Sequence, residues 1–238
     1  MTATRRTAIL IGVFFLLTEI GAIAGRLLYA PVLETPAYVL GSGRDPLVHA
    51  GVLFEVLLVV AVVGTAVVAY PVLARQNRAA ALAYVAARIL EAAIIAVGTL
   101  SLLTVLMLRQ QPHTDPGALE TVASALLALQ DATLLFGPGF ALGIGSSLLA
   151  SLMYTSRLVP RGIAALGLVG GVVITLSAGA VVFGLYGQFS TIGLVVALPV
   201  FAWEVSLALW LIFTGFNSTA LELMPRRDDA AARAEVAS

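Results

Sequence analysis

The chain contains no cysteine. Disulfides, thiolate metal ligands and a cysteine nucleophile are therefore excluded. It contains no lysine either: all 13 basic side chains are arginine. That rules out a retinal or pyridoxal Schiff base, a Walker-type lysine and a lysine general base. Histidine is represented by His49 and His113 alone. Both fall near or in loops, and a three-histidine zinc centre cannot be built from two. Charge is scarce as well. Charged residues are 11% of the chain, against about 25% in soluble domains. The formal net charge is zero, so nothing points to nucleic acid as a partner.

What is present instead is apolar. Hydrophobic residues make up 60% of the 238 positions and the mean hydropathy is +1.03. The apolar runs reach about 20 residues or more, the length that crosses a bilayer core as a helix. They do not alternate, so a transmembrane barrel is excluded. The expected fold class is all-α: a polytopic transmembrane bundle in which each helix satisfies its own backbone. The lipid bilayer is the first partner that this composition implies.

Six spans are expected, over about 7–29, 47–73, 79–108, 138–155, 162–186 and 191–216. An N-terminal signal peptide is the rival reading of the first, with Ala22-Ile23-Ala24 as a cleavage-like site. The run is long for a signal sequence and contains Glu19, which favours an uncleaved helix. Gly137-Pro138-Gly139 is read as a break. It divides 118–155 into an outer cap helix, about 117–136, and the fourth span. With six spans and an inner N-terminus, nine arginines (5, 6, 75, 78, 157, 161, 226, 227 and 233) fall on the inner side, against Arg44 and Arg109 outside. This is the asymmetry of the positive-inside rule. A seventh span would move Arg157 and Arg161 outside. Both termini are thus expected in the cytoplasm of a bacterium. The Ala- and charge-rich tail, 225–238, is expected to be disordered. No internal repeat is visible and the fifth span carries no charge, which speaks against a repeat-built transporter.

Seven ionisable residues lie within these apolar stretches: Glu19, Arg26, Glu55, Arg88, Glu91, Asp131 and Glu204. A charge at the bilayer centre costs about 2.5–3.5 kcal/mol on the lenient insertion scale. Such groups are expected to meet each other, water or a ligand. From a rise of about 1.5 Å per residue, Glu19, Arg88, Glu91 and Glu204 sit near mid-membrane. Arg26 and Glu55 sit further out, and Asp131 at the outer boundary. Arg88 and Glu91, three apart, can pair along one helix face, and Glu19 with Arg26 is a weaker pair two turns apart. Acids outnumber bases five to two, so some carboxyls carry a proton, bind a cation or lie in water. A carboxylate-only cation site would suit Mg²⁺, Ca²⁺ or Mn²⁺ better than zinc.

Small residues supply a structural counterpart. Gly139, Gly143, Ser147, Ser151 and Thr155 recur every four residues, a stripe for close helix contact. Gly21/Gly25 and Gly167/Gly171 repeat the pattern, and such faces could also join copies of the chain. Gly143-Ile144-Gly145-Ser146-Ser147 invites comparison with an intramembrane serine protease of the rhomboid type. The histidine such a protease needs on the last span is missing, which rejects it. Trp203 and Trp210 lie too deep for interface anchors and are expected to pack internally or line a pocket.

Several segments resemble a bacterial membrane family known only as a domain of unknown function. They are Ser156-Arg157-Leu158-Val159-Pro160-Arg161 running into Leu166-Gly167-Leu168-Val169-Gly170, Ala87-Arg88-Ile89-Leu90-Glu91, and Glu204 through Leu209-Trp210-Leu211-Ile212 to Gly215-Phe216. The resemblance covers about 7–216 and implies six helices without an established activity. Gly162 departs from the bulky residue found there in that family.

Three functions stay open. One is binding or transport of a cation or small amphipathic molecule in an outward-facing carboxylate pocket. Another is a carboxylate- or metal-dependent enzyme acting on a lipid-like substrate. The third is an assembly protein whose polar core is structural.

Overall fold

Caps and turns written into the sequence punctuate the helices. The structure is a computed structural model that describes residues 3–42, 45–111 and 115–224. Helix α1, Ala3–Glu34, runs through Pro31. After a short 3-10 turn at Pro36–Leu40, α2 spans Pro46–Leu73. It is opened by the Asp45 carboxylate accepting from the Val48 amide at 3.3 Å, with Pro46 in the first turn. Asn77 caps α3, Arg78–Arg109, in the same way through Ala80. Asp115 caps α4, Pro116–Leu134. Helix α5, Leu142–Ser156, stops where Arg157 adopts a left-handed φ of 57°. Helices α6, Arg161–Val182, α7, Thr191–Phe213, and α8, Ser218–Leu223, complete the chain. Short polar side chains at these caps satisfy amides that have no intrahelical partner.

The expected break at Gly137-Pro138-Gly139 does not occur. Leu135–Ala141 forms a π-helical turn, and Pro116–Ser156 continues as one helical unit of 41 residues. Proline lacks an N–H and its ring collides with the preceding turn in a regular α-helix. The wider π-turn accommodates both defects. Outer helix and fourth span therefore follow one another without a loop between them. Among the described residues six helical units are long and apolar enough to cross a membrane, and no strand is present.

The spans form a closed ring. α1 packs on α2, α2 on α3, α3 on α5, α5 on α6, α6 on α7, and α7 returns to α1. Small residues permit the closest approaches. A Cβ on Gly171 would meet the Gly143 carbonyl at 2.7 Å, and one on Gly139 would meet Ala178 at 2.9 Å. Gly139, Gly143 and Ser147 of the stripe seen in the sequence are thus used against α6, while Ser151 and Thr155 are exposed.

The two ends differ. At one, Arg5 donates to the carbonyls of Leu211, at 2.7 Å, and Ile212, at 2.5 Å, closing the end of α7. Arg75 reaches the carbonyls of Leu221 and Met224, and the Asn217 amide reaches Leu158. The start of α1, the α2–α3 turn, the α5–α6 turn and α8 therefore share this Arg-rich end. At the far end α1 and α3, each 32 residues or about 48 Å, outrun the roughly 30 Å of a hydrocarbon core. Their projecting turns pack with α4 and the 3-10 turn around Tyr29, Val39, Leu102, Leu106 and Leu127. Arg109 ties this end by donating to the Tyr38 carbonyl and stacking on its ring at 4.0 Å. Arg44, His113 and the tail 225–238 lie outside the described residues.

Candidate functional site

The seven residues picked out from the sequence do not form one site. Four meet inside the ring at mid-height, two meet nearer the far end, and Asp131 meets neither group.

The central group is built on Arg88, which is 1% exposed. Its Nη1 donates to Glu91 at 3.0 Å, one turn along α3, and lies 3.5 Å from Glu204 on α7. The Glu19 carboxyl, on α1, sits beside that of Glu204 within hydrogen-bonding reach. Phe15 places its ring 5.6 Å from the guanidinium carbon. Tyr84, one turn toward the Arg-rich end, directs its hydroxyl at Thr65 at 3.5 Å. Three facing helices thus contribute one side of the centre each. Among the described residues Arg88 is the one cation that meets these three carboxyls. Full ionisation would leave two unbalanced negative charges in a low-dielectric interior, where an uncompensated charge costs several kcal/mol. Protons or a further cation must balance them. Arg88 Nε and Nη2 are buried without a hydrogen-bond partner, so the centre also holds unused donors.

The outer group joins Arg26, Tyr29, Glu55 and Gln130. The Tyr29 hydroxyl donates to Glu55 at 2.7 Å and is also within hydrogen-bond reach of the Gln130 side chain. Arg26 is close enough to act electrostatically on Glu55. Its guanidinium stacks on Phe189, 3.6 Å from the ring centre. The Glu19–Arg26 pair expected from spacing is not formed. Arg26 instead faces the Glu55 carboxyl of α2, because two turns carry it past the mid-height centre. Leu58, Val62, Ala92 and Ile95 form an apolar layer on the helix turns between Glu55 and the central group.

Asp131 is exposed on α4, while its neighbour Gln130 points inward and is buried. The continuous helix through Pro138 sets this rotation. Gln130, Tyr29 and Phe189 were not singled out in the sequence. A signal for two of them was there: Tyr29 is three residues from Arg26 on one face, and Gln130 interrupts an apolar stretch. Phe189 offers none, since a loop aromatic acquires meaning only through the guanidinium it meets. Trp203 is fully buried and packs where a Cβ on Gly167 would stand. His49 lies in the first turn of α2, its Nδ1 2.6 Å from the Asp45 carbonyl.

Among the described residues no three His, Asp or Glu side chains gather in a way that could hold a metal ion. In the central group the guanidinium itself stands among the carboxyls, where a divalent cation would have to sit.

Fold and site together define a six-helix integral membrane protein with a buried arginine–glutamate centre. Residues 10–215 match the family described as a domain of unknown function, DUF4386, and the chain belongs to that family. No curated protein and no solved structure matches it.

Proposed function

We propose that this protein binds or transports a cation or a small amphipathic molecule at the Glu19–Arg88–Glu91–Glu204 centre. We place it in the bacterial cytoplasmic membrane with its Arg-rich end inward. The observation that carries the reading is the surplus of carboxyls: three surround one buried guanidinium, from three different helices. A scaffold needs one acid per base. A surplus creates a place that is neutral only when protons or another cation are taken up. Glu91 and Glu204 are held by Arg88, so Glu19 is the group left to exchange its partner. The metal-dependent enzyme gains no support, since Arg88 occupies the middle of the acid set. The Arg-rich end carries Arg5, Arg75, Arg157 and Arg161 against Arg109 at the other, which favours the inward orientation.

Infrared spectroscopy of the protein in lipid nanodiscs, titrated with acid and base, tests the reading. A protonated-carboxyl band that changes with pH and is diminished in Glu19→Gln is the expected result. A carboxyl spectrum indifferent to pH and to Glu19→Gln would make the centre a fixed scaffold and end the proposal.

A further inference from the structure

A cleft of about 560 Å³ opens at the Arg-rich end, and no residue of the central or outer group lines it. Its size falls within the range of about 300–1,000 Å³ usual for small-molecule sites. The α5–α6 turn forms one wall, and the end of α7 with the start of α8 forms the other. The Asn217 amide donates to the Leu158 carbonyl at 2.9 Å and ties the two walls together. Leu158 and Val159 are buried in the core, so the backbone that carries Arg157 and Arg161 on either side of them is fixed. Arg157 adopts a left-handed φ of 57°, at a helix end where glycine or asparagine is the ordinary choice. Arg161 opens α6 and lies over the Tyr154 ring, 5.2 Å from its centre.

The lining selects the charge of an occupant. Among the described residues no carboxylate lines the cleft, and neither Arg157 nor Arg161 pairs with a carboxylate or donates to an acceptor. The hydroxyls of Thr214 and Ser218 add neutral donors. Glu222 lies in the neighbouring cleft with Arg5, whose guanidinium is engaged by the carbonyls at the end of α7. Two permanent positive charges beside hydroxyl donors suit an anion that offers several oxygens, and a phosphate fits that description. The level in the membrane points to its source. Trp210 lines the cleft three residues before α7 ends at Phe213, which sets it at the boundary rather than at the depth expected from the sequence. Aromatic side chains at a boundary with arginines just beyond mark the level of lipid headgroups.

We propose that this cleft binds the phosphate of an anionic phospholipid from the leaflet at the Arg-rich end. Arg157 and Arg161 hold the phosphate oxygens, and the acyl chains descend past Trp210. The inference is independent of the central group and adds a lipid site at one end of the bundle.

The test places the full chain in phosphatidylcholine nanodiscs that contain increasing fractions of brominated phosphatidic acid, which quenches tryptophan emission on contact. Trp203 is fully buried, so the quenching reports Trp210. Quenching is expected to saturate at a low fraction of brominated phosphatidic acid, whereas brominated phosphatidylcholine should quench only in proportion to its amount. The double variant Arg157→Asn, Arg161→Gln should need about tenfold more of the acidic lipid, as for lost hydrogen bonds to a charged group. Asparagine accepts the left-handed conformation, so the turn keeps its shape and the melt stays cooperative; the two single variants carry the test should the double one not fold. Arg78→Gln removes an exposed arginine of the same end that does not line the cleft, and it should leave the curve unchanged. Equal quenching by the two brominated lipids, no loss in the cleft variants, or an equal loss in Arg78→Gln overturns the inference, the last by reducing it to general attraction of arginines to an acidic surface. Glycerol phosphate at a matched concentration should not relieve the quenching. Relief would assign the cleft to a soluble phosphate and overturn the lipid as its source.

Discussion

Arg88 is the residue on which the interior turns. It is a delocalised, permanently charged group with five donors, and its partners come from its own helix and from α7. Removing it leaves three carboxyls without a counter-charge. Arg88→Met should therefore lower stability by about 3–5 kcal/mol, the cost of breaking a buried pair from one side. Glu55→Gln is milder, because the amide oxygen can still accept from Tyr29. It should cost about 1 kcal/mol, a typical hydrogen-bond difference. Thermal melting in one detergent compares the two; equal losses would contradict the division into a charged centre and a neutral outer group. Outside the spans, Tyr38 donates to Asp45 at 3.1 Å. Burial, then that hydrogen bond, push its hydroxyl up from 10.0 to about 12. The folded form holds this proton where the unfolded chain has lost it, so Tyr38 contributes stability below pH 10 that disappears between there and pH 12. Tyrosinate absorbance, compared with Tyr38→Phe, should show this one residue ionising late while the fold persists.

Among the helices, steric closeness is decided by glycines at α5–α6 and α1–α7. Gly171→Val would drive a branched side chain into backbone atoms of Gly143 and Ser147, 2.7 and 2.9 Å from its Cβ. Overpacking of this kind costs about 1–3 kcal/mol. Gly162→Ala meets nothing within 4 Å and should melt like the parent, which makes the pair a controlled comparison. The helix caps at Asp45, Asn77, Asp115 and Ser190 carry a local signal, a short polar side chain at the head of a helix. The outcome at Pro138 was not legible, since proline signals a fault in the α-helix without saying whether the chain breaks or widens into a π-turn. That uncertainty carried over to Asp131: the phase of a helix beyond a proline depends on how the proline is absorbed. The Arg88–Glu91 pair was readable from a spacing of three, whereas the approach of Glu19 to Glu204 joins residues 185 positions apart and has no local signature.

For the whole molecule, orientation is the testable property, and the absence of cysteine makes the test clean. A single cysteine at Thr219, exposed at the Arg-rich end, should be shielded from an impermeant maleimide added to intact cells. One at Gln111, exposed at the far end, should react. Reversed labelling would invert the proposed orientation. The sequence by itself determined that this protein lives in a bilayer, how many times it crosses, and which end carries the arginines. Those properties follow from the length and charge of local runs, which the transfer energy of each segment sets independently. Only the tertiary structure decided that seven ionisable residues divide into two groups and an outlier. It also decided that Arg88 is shared by two glutamates from different helices. These depend on helix rotation and on which helices become neighbours, and both are fixed by packing between residues far apart in the chain.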